Sequence, residues 1–390
     1  MRMPDGGNAA TIKVISSLTE VPKTQWDACA GNQNPFVSHT FLKCLEDSEA
    51  VCNETGWLPQ HILIENDTGL AGCVPCYLKN HSHGEYVFDW GWADAFERAG
   101  GQYYPKLQVS VPFSPVTGPR LLVRDGVDVE RTQAMLTAGL LELCKQHGVS
   151  SLHVTFPTED EWTTLGEKGL LKRQGQQFHW HNNGYKTFDD FMETLNSRKR
   201  KMIRKERTAA NKEVEIEVLT GDKVQSHHMD EFYQFYINTI DRKWAHAYLN
   251  NEFFQLIHER MPENIVLVRA TQSGKAVAGA LNLRGPDTLW GRNWGCSERF
   301  RMLYFEACFY RSIEFAIENG LARVEAGAQG PHKISRGYLP HPTYSVHWIR
   351  DEGFRTAVEK YLQQERRGVN AEMTLLTKLS PFKREEKNLE

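Results

Sequence analysis

Between Glu325 and Pro340 the chain reads E-A-G-A-Q-G-P-H-K-I-S-R-G-Y-L-P, which puts His332, Lys333, Arg336 and Tyr338 within seven residues. An imidazole can take a proton near neutral pH, and Glu325 offers a carboxylate for the same task. The Lys333 and Arg336 cations can hold a phosphate or a developing oxyanion, and the Tyr338 phenol can donate to either. Gly327, Gly330 and Gly337 admit backbone shapes that other residues resist. The plain alternative is a polar surface loop whose glycines only make turns.

A second concentration is cationic. Arg198, Lys199, Arg200, Lys201, Arg204, Lys205, Arg207 and Lys212 place eight cations in fifteen residues, opposed there only by Glu206. On a helix Lys201, Arg204 and Lys205 share a face, which suits phosphates of a nucleotide or an RNA backbone. No aromatic residue interleaves, so the patch lacks a stacking platform for bases. The alternative is a solvated helix face balanced by acidic residues elsewhere.

Phe88-Asp89-Trp90-Gly91-Trp92-Ala93-Asp94 reads as the counterpart of Leu289-Trp290-Gly291-Arg292-Asn293-Trp294. Asp89 and Asp94, with Trp90 between them, could receive a cationic amine, and Arg292 and Asn293 could polarise a carbonyl. An aromatic core with solvated charges is the alternative. His179 and His181 face one side of a strand, as metal ligands could, but no third ligand matches them by spacing, so no metal is expected. Cys73-Val74-Pro75-Cys76 has C-x-x-C spacing in a strand, away from the helix N-terminus that redox chemistry uses.

These residues need elements to hold them, and the pattern of elements repeats. Residues 131–147 carry Ala134, Met135, Ala138, Leu141 and Cys144 on one helical face, Gly148 stops the helix, and Leu152, Val154 and Phe156 alternate in a strand. The same grammar recurs at 303–319, with Gly320 as the stop and Val324 and Ala326 alternating next, so that His153 corresponds to Glu325. Hairpins precede both: 61–65 with 70–78 and then 86–90, and 265–270 with 276–283 and then 288–294, each with a turn ending in Gly. Helical segments at 39–48 and 229–260 come before the hairpins. The first copy carries an insertion between its third strand and its helix, including VPFSPVTGPR (111–120). Thr187 to Asp190 reads as a capping box variant that opens a helix leading into the basic stretch.

The whole chain sets the limits. Its 390 residues suggest two or three domains, and 40% apolar with 24% charged residues is ordinary for a soluble globular protein. Aromatics at 11%, ten of them Trp, supply bulk for large cores. The 46 basic and 49 acidic residues leave a net charge of −3, so a globally basic nucleic-acid protein is not indicated. No apolar run approaches membrane-spanning length, residues 1–12 lack an apolar signal region, and the eight cysteines are scattered. Reduced thiols and a cytoplasmic location are the expectation.

Six segments together resemble the FemAB-like family of N-acyltransferases, carrying a peptidoglycan biosynthesis/recognition label, within the GNAT superfamily. They are NPFVSHTFLKCLED (34–47), FDWGWADAFERAGGQYYPKLQVSVPFSPVTGPRLL (88–122), QFHWHNNGY (177–185), SRKRKMIRKER (197–207), LWGRNWGC (289–296) and EAGAQGPHKISRGYLPHPTYSVHWI (325–349). The resemblance implies an α/β (α+β) protein of two tandem GNAT-like domains, each a mostly antiparallel mixed sheet flanked by helices. The expected segments are 12–185 and 186–382, with a polar tail at 383–390. It implies attack of an amine on an activated carbonyl. Glu325 and His332 are then base candidates, and Lys333, Arg336 and Tyr338 donor or oxyanion candidates. Lys201, Arg204, Lys205, Arg292 and Asn293 would hold the donor, and Asp89, Trp90 and Asp94 the acceptor. Acyl-CoA or aminoacyl-tRNA is the implied co-substrate and a small-molecule or peptide amine the acceptor, with tRNA a partner and no tightly bound cofactor. The GNAT pyrophosphate cradle, R/Q-x-x-G-x-G/A, is represented by Arg299 to Tyr304 without its glycines, a departure the Fem-type branch shares. A non-catalytic module recognising a peptidoglycan-type fragment or RNA is the alternative.

Overall fold

The helix Val129–Gln146 shows how local sequence sets an element. Asp128 caps its N-terminus by accepting from the Arg131 N–H, and Leu136, Leu140 and Leu143 recur at helical spacing on its buried face. Burying each such side chain contributes about 1.5–3 kcal/mol relative to exposure. The helix ends where Gly148 takes φ 65°. In this computed structural model, residues 2–3, 10–242, 246–327 and 330–383 are described, so the tail read at 383–390 lies outside them but for Lys383.

The chain divides into two compact units. One comprises Met1–Gly175 with Pro342–Val369, the other Gln176–His341 with Asn370–Glu390. The stretch 342–369 is thus assigned with the first unit, whereas the sequence reading took two consecutive segments.

In the first unit the hairpin His61–Asn66 and Gly69–Val74 pairs antiparallel, and its second arm resumes beyond Pro75 as Cys76–Lys79. Proline cannot donate to a ladder, and the chain changes sheets at this point. Cys76–Lys79 pairs antiparallel with Lys106–Val109, which runs parallel to Ser151–Thr155. Leu107, Val109, Leu152 and Val154 pack with the helix leucines in one core.

The third strand is therefore Lys106–Val109, and residues 88–94 are not a strand. Trp90–Arg98 is a helix, with Trp92, Ala93 and Phe96 turned to a small core. The Trp90/Trp92 alternation mimics a strand, but Trp92, Ala93 and Phe96 follow helical spacing and the segment continues in helix formers. The inserted residues consequently lie on both sides of the third strand.

In the second unit Ile265–Gln272, Lys275–Arg284 and Thr288–Cys296 form an antiparallel meander, edged by Glu215–Thr220. Thr288–Cys296 runs parallel to Arg323–Glu325, which pairs antiparallel with residues 179–181. Between the parallel strands the chain is helical from Leu303 to Glu318, with a π-helical stretch at Glu306–Tyr310. Leu289, Val324, Trp180, Phe309 and Ile313 share the main core of this unit. The order of hairpin, third strand, helix and parallel strand is the same in both units.

Candidate functional site

The second unit holds a fork between parallel strands. Thr288, Leu289 and Trp290 pair with Arg323, Val324 and Glu325, and the ladder ends there. The longer strand continues against Lys275–Arg284, where Asn282 faces Gly291 and Leu281 faces Asn293. Arg292 is the extra residue of this bulge, and such bulges re-aim side chains beside functional sites. Arg292 and Asn293 are both half-buried. Beyond the fork, the edge of Arg292–Gly295 away from Lys275–Arg284 has no strand partner among the described residues.

The other arm turns into the loop that carries His332. Lys333 is buried, and its Nζ donates to the carbonyls of Ala326 (2.7 Å) and Gly327 (2.8 Å). Burial lowers its pKa to about 8. Arg336 lies over the Phe305 ring at 3.5 Å and makes forked hydrogen bonds to the Glu206 carboxylate (2.8 and 2.9 Å). Its Nη1 donates to the His332 carbonyl at 2.8 Å. Tyr338 is fully buried, its hydroxyl donating to the Phe309 carbonyl at 3.3 Å. These three residues shape the loop through internal partners. The polar ends of Arg336 and Tyr338, read from the sequence as donor or oxyanion groups, are engaged with these internal partners. Ala328 and Gln329 lie outside the described residues.

His332 and Glu325 differ from them. His332 is exposed among Tyr304, Phe305 and Phe309, with ring centroids about 6 Å apart, and its ring nitrogens make no hydrogen bond among the described residues. Its pKa is lowered by partial burial and by the Arg336 and Lys333 cations. Glu325 is buried at the apex of the fork. Its Oε1 faces Arg323 Nε at 3.4 Å, and its Oε2 accepts no hydrogen bond. Burial pushes its carboxyl up to about 7, against the pull of Arg323.

The basic stretch forms the helix Ser197–Glu213, capped by Asn196. Arg207 pairs with Glu306 and Glu314, and Arg200 donates to the Leu195 carbonyl. Lys201, Arg204 and Lys205 are exposed and make no ion pair among the described residues. A face of unneutralised cations remains after the helix has anchored itself. Glu206, the one acid of the stretch, is the partner of Arg336, so the helix and the His332 loop are fastened to each other.

The proposed acceptor residues are not brought together as expected. Asp94 is exposed and paired with Arg98 at 2.7 Å, and Trp90 is 51% exposed. Asp89 is buried and neutralised: Lys106 pairs with it, and the Tyr103 hydroxyl donates to its Oδ2 at 2.7 Å. Its pKa is held below the ordinary range, because Lys106 and its hydrogen bonds outweigh a large desolvation effect.

Asp89 belongs to a buried network that sequence reasoning missed. Lys106 also pairs with Glu85 (2.8 Å), and Lys79 lies 3.7 Å from Glu85 and 3.4 Å above the Trp57 ring. His153 and His347 meet at 2.7 Å between Nδ1 atoms, with Ser151 and Ser345 against their Nε2 atoms. Burial and the Lys106 cation push His153 down to about 3. Lysines closing one apolar strand at 79 and opening another at 106 were the available signal.

Of the paired histidines, His179 is buried, and the fold adds a third imidazole, His341, from 160 positions along the chain. Spacing could not have shown it. The eight cysteines are all free thiols, and burial pushes Cys73 and Cys76 up, away from redox reactivity. No described helix is long and apolar enough to cross a membrane.

The sequence model of the FemAB_like family, described as peptidoglycan biosynthesis/recognition, matches residues 17–384, and the chain belongs to that family. Solved structures share the fold over nearly the whole chain. FemX aligns with a TM-score of 0.56 at 11% identity, covering 90% of this chain and 100% of that one. L-PGS from Bacillus licheniformis aligns at 0.50 and 10%, covering 90% and 98%. The C-terminal domain (DUF2156) of a putative lysylphosphatidylglycerol synthetase from Agrobacterium fabrum aligns at 0.55 and 9%, covering 89% and 96%. No curated protein matches the sequence.

Proposed function

We propose that this member of the FemAB_like family is an N-acyltransferase that moves an acyl or aminoacyl group from an activated donor to an amine. The observation that carries the reading is the fork at Trp290 and Glu325, where a bulged strand leaves backbone edge and half-buried side chains beside a buried carboxylate. In the reaction the amine nitrogen bonds to the donor carbonyl carbon, and the bond from that carbon to sulfur or oxygen breaks. The amine proton passes to a base, and the leaving thiolate or alkoxide takes up a proton. Glu325 Oε2 would take the amine proton as the base. Asn293 and Arg292 flank the fork, and His332, among Tyr304, Phe305 and Phe309, is the second base candidate. Donor phosphates would lie on Lys201, Arg204 and Lys205. That open cationic face and the glycine-free segment Arg299 to Tyr304 favour aminoacyl-tRNA over acyl-CoA.

The test is transfer from charged tRNA, and separately from acyl-CoA, to a panel of amines. Wild type should release free tRNA with an acceptor-dependent rate, and Glu325→Gln should lose at least about 100-fold in that rate. Equal rates in the variant would remove Glu325 from the mechanism. Saturable binding of tRNA or a peptidoglycan-type fragment, without release with any amine, would establish the second reading, a recognition module. The internal engagement of Lys333, Arg336 and Tyr338 favours that second reading.

A further inference from the structure

We propose that His179, His181 and His341 form a site for one divalent transition-metal ion of the zinc class. One ring nitrogen of each lies within 4.8 Å of the other two. His179 and His181 project from the same face of one strand, and His341 stacks on His179 with ring centroids 4.3 Å apart. Three imidazoles are a common donor set for Zn²⁺, which leaves a fourth position for water.

The second observation is an orphaned lone pair. His179 is 2% exposed, its Nε2 lies 3.3 Å from the Gln177 amide oxygen and 3.9 Å from Glu325 Oε2, and both neighbours favour a proton on that nitrogen. Nδ1 is then an acceptor, buried with no donor among the described residues. A buried imidazole whose outer nitrogen is fixed by an acceptor and whose inner nitrogen has no partner is the arrangement found around bound metals. Ligand nitrogens of a tetrahedral ion stand about 3.3 Å apart. His181 is exposed and His341 half-buried, so rotation of these two rings can close the site around an ion. The nearby Arg323 cation is directed to Glu325 (3.4 Å) and Asp287 (4.0 Å).

The site borders Glu325, the base of the proposed transfer reaction, so its test reads metal binding alone and does not depend on transfer activity. The untagged full chain, stripped with chelator, is titrated with Co²⁺ and with Zn²⁺. Wild type should bind one ion per chain, show the intense visible bands of four- or five-coordinate Co²⁺, and melt at higher temperature with Zn²⁺. His181→Ala, at an exposed position, should weaken binding by more than about 100-fold, and so should His341→Ala. The sequence has one further H-x-H pair, His81-Ser82-His83, and His83→Ala should bind as wild type. Absence of one-to-one binding by wild type overturns the proposal. So does wild-type affinity in the His181→Ala/His341→Ala double variant with unchanged circular dichroism.

Discussion

Arg336 and Glu206 clasp each other through forked hydrogen bonds of 2.8 and 2.9 Å, fixing the loop beyond the strand fork to the one acidic residue of the basic stretch 198–212. The pair is largely buried, at 6% and 11% side-chain exposure, and the Tyr310 hydroxyl donates to the same carboxylate. Removing one partner leaves the other charge without compensation. Arg336→Ala should therefore lower stability by about 3–5 kcal/mol. Chemical denaturation of the variant measures this, and a loss below about 1 kcal/mol would show that the pair is not integral to the fold.

The cationic face makes a contrasting prediction. Among the described residues Lys201, Arg204 and Lys205 have no ion pairs to lose, so replacing all three with Gln should change stability by no more than about 0.5 kcal/mol per site. If they contact single-stranded phosphates, the slope of log affinity against log salt should fall by about 2 for the triple variant. Affinity measured for tRNA at several salt concentrations tests this, and an unchanged slope would place the phosphates elsewhere.

Stability should fall in acid over a window set by buried histidine. His153 titrates near 3 in the folded chain, against an ordinary value of about 6.5 when unfolded. Below about pH 6.5 the unfolded chain binds a proton that the folded chain refuses, so stability declines towards pH 3 and is flat above the window. His347 shifts in the same direction, by burial and its His153 neighbour. Each such group contributes a slope of up to about 1.4 kcal/mol per pH unit. Denaturant midpoints between pH 4 and 8 should show the decline, and His153→Gln should flatten it. A flat profile in wild type would contradict the neutral, buried state.

Asp89 and Asp94 should behave oppositely. Asp94→Asn removes one exposed pair with Arg98 and should leave stability within about 0.5 kcal/mol and transfer unchanged. Asp89→Asn strands the Lys106 cation in a buried network and should cost about 3 kcal/mol or more. Thermal unfolding of both variants decides between a structural Asp89 and an acceptor-binding one.

Much of the scaffold was legible because its signals are local. The helices at 129–146 and 303–318 announce themselves through apolar spacing and glycine stops, and the two hairpins through short turns ending in Gly. Thr187 does cap its helix, with Asp190 completing the box. The misread segment was 88–94, where paired tryptophans at even spacing imitate a strand, and the true third strand, Lys106–Val109, was hidden by its shortness and by Lys106 and Gln108.

The sequence by itself determined which residue types crowd near Glu325 and along the basic helix, since composition and spacing are properties of the chain. It also determined the repeated order of hairpin, strand, helix and strand. Only the tertiary structure decided which charges are spent on one another. Lys333 and Arg336 are drawn inward because a buried cation must meet acceptors, whereas Lys201, Arg204 and Lys205 stay in water. The meeting of His179 with His341, and of Asp89 with Lys106, depends on strand pairing and folding across long separations, which no local pattern encodes.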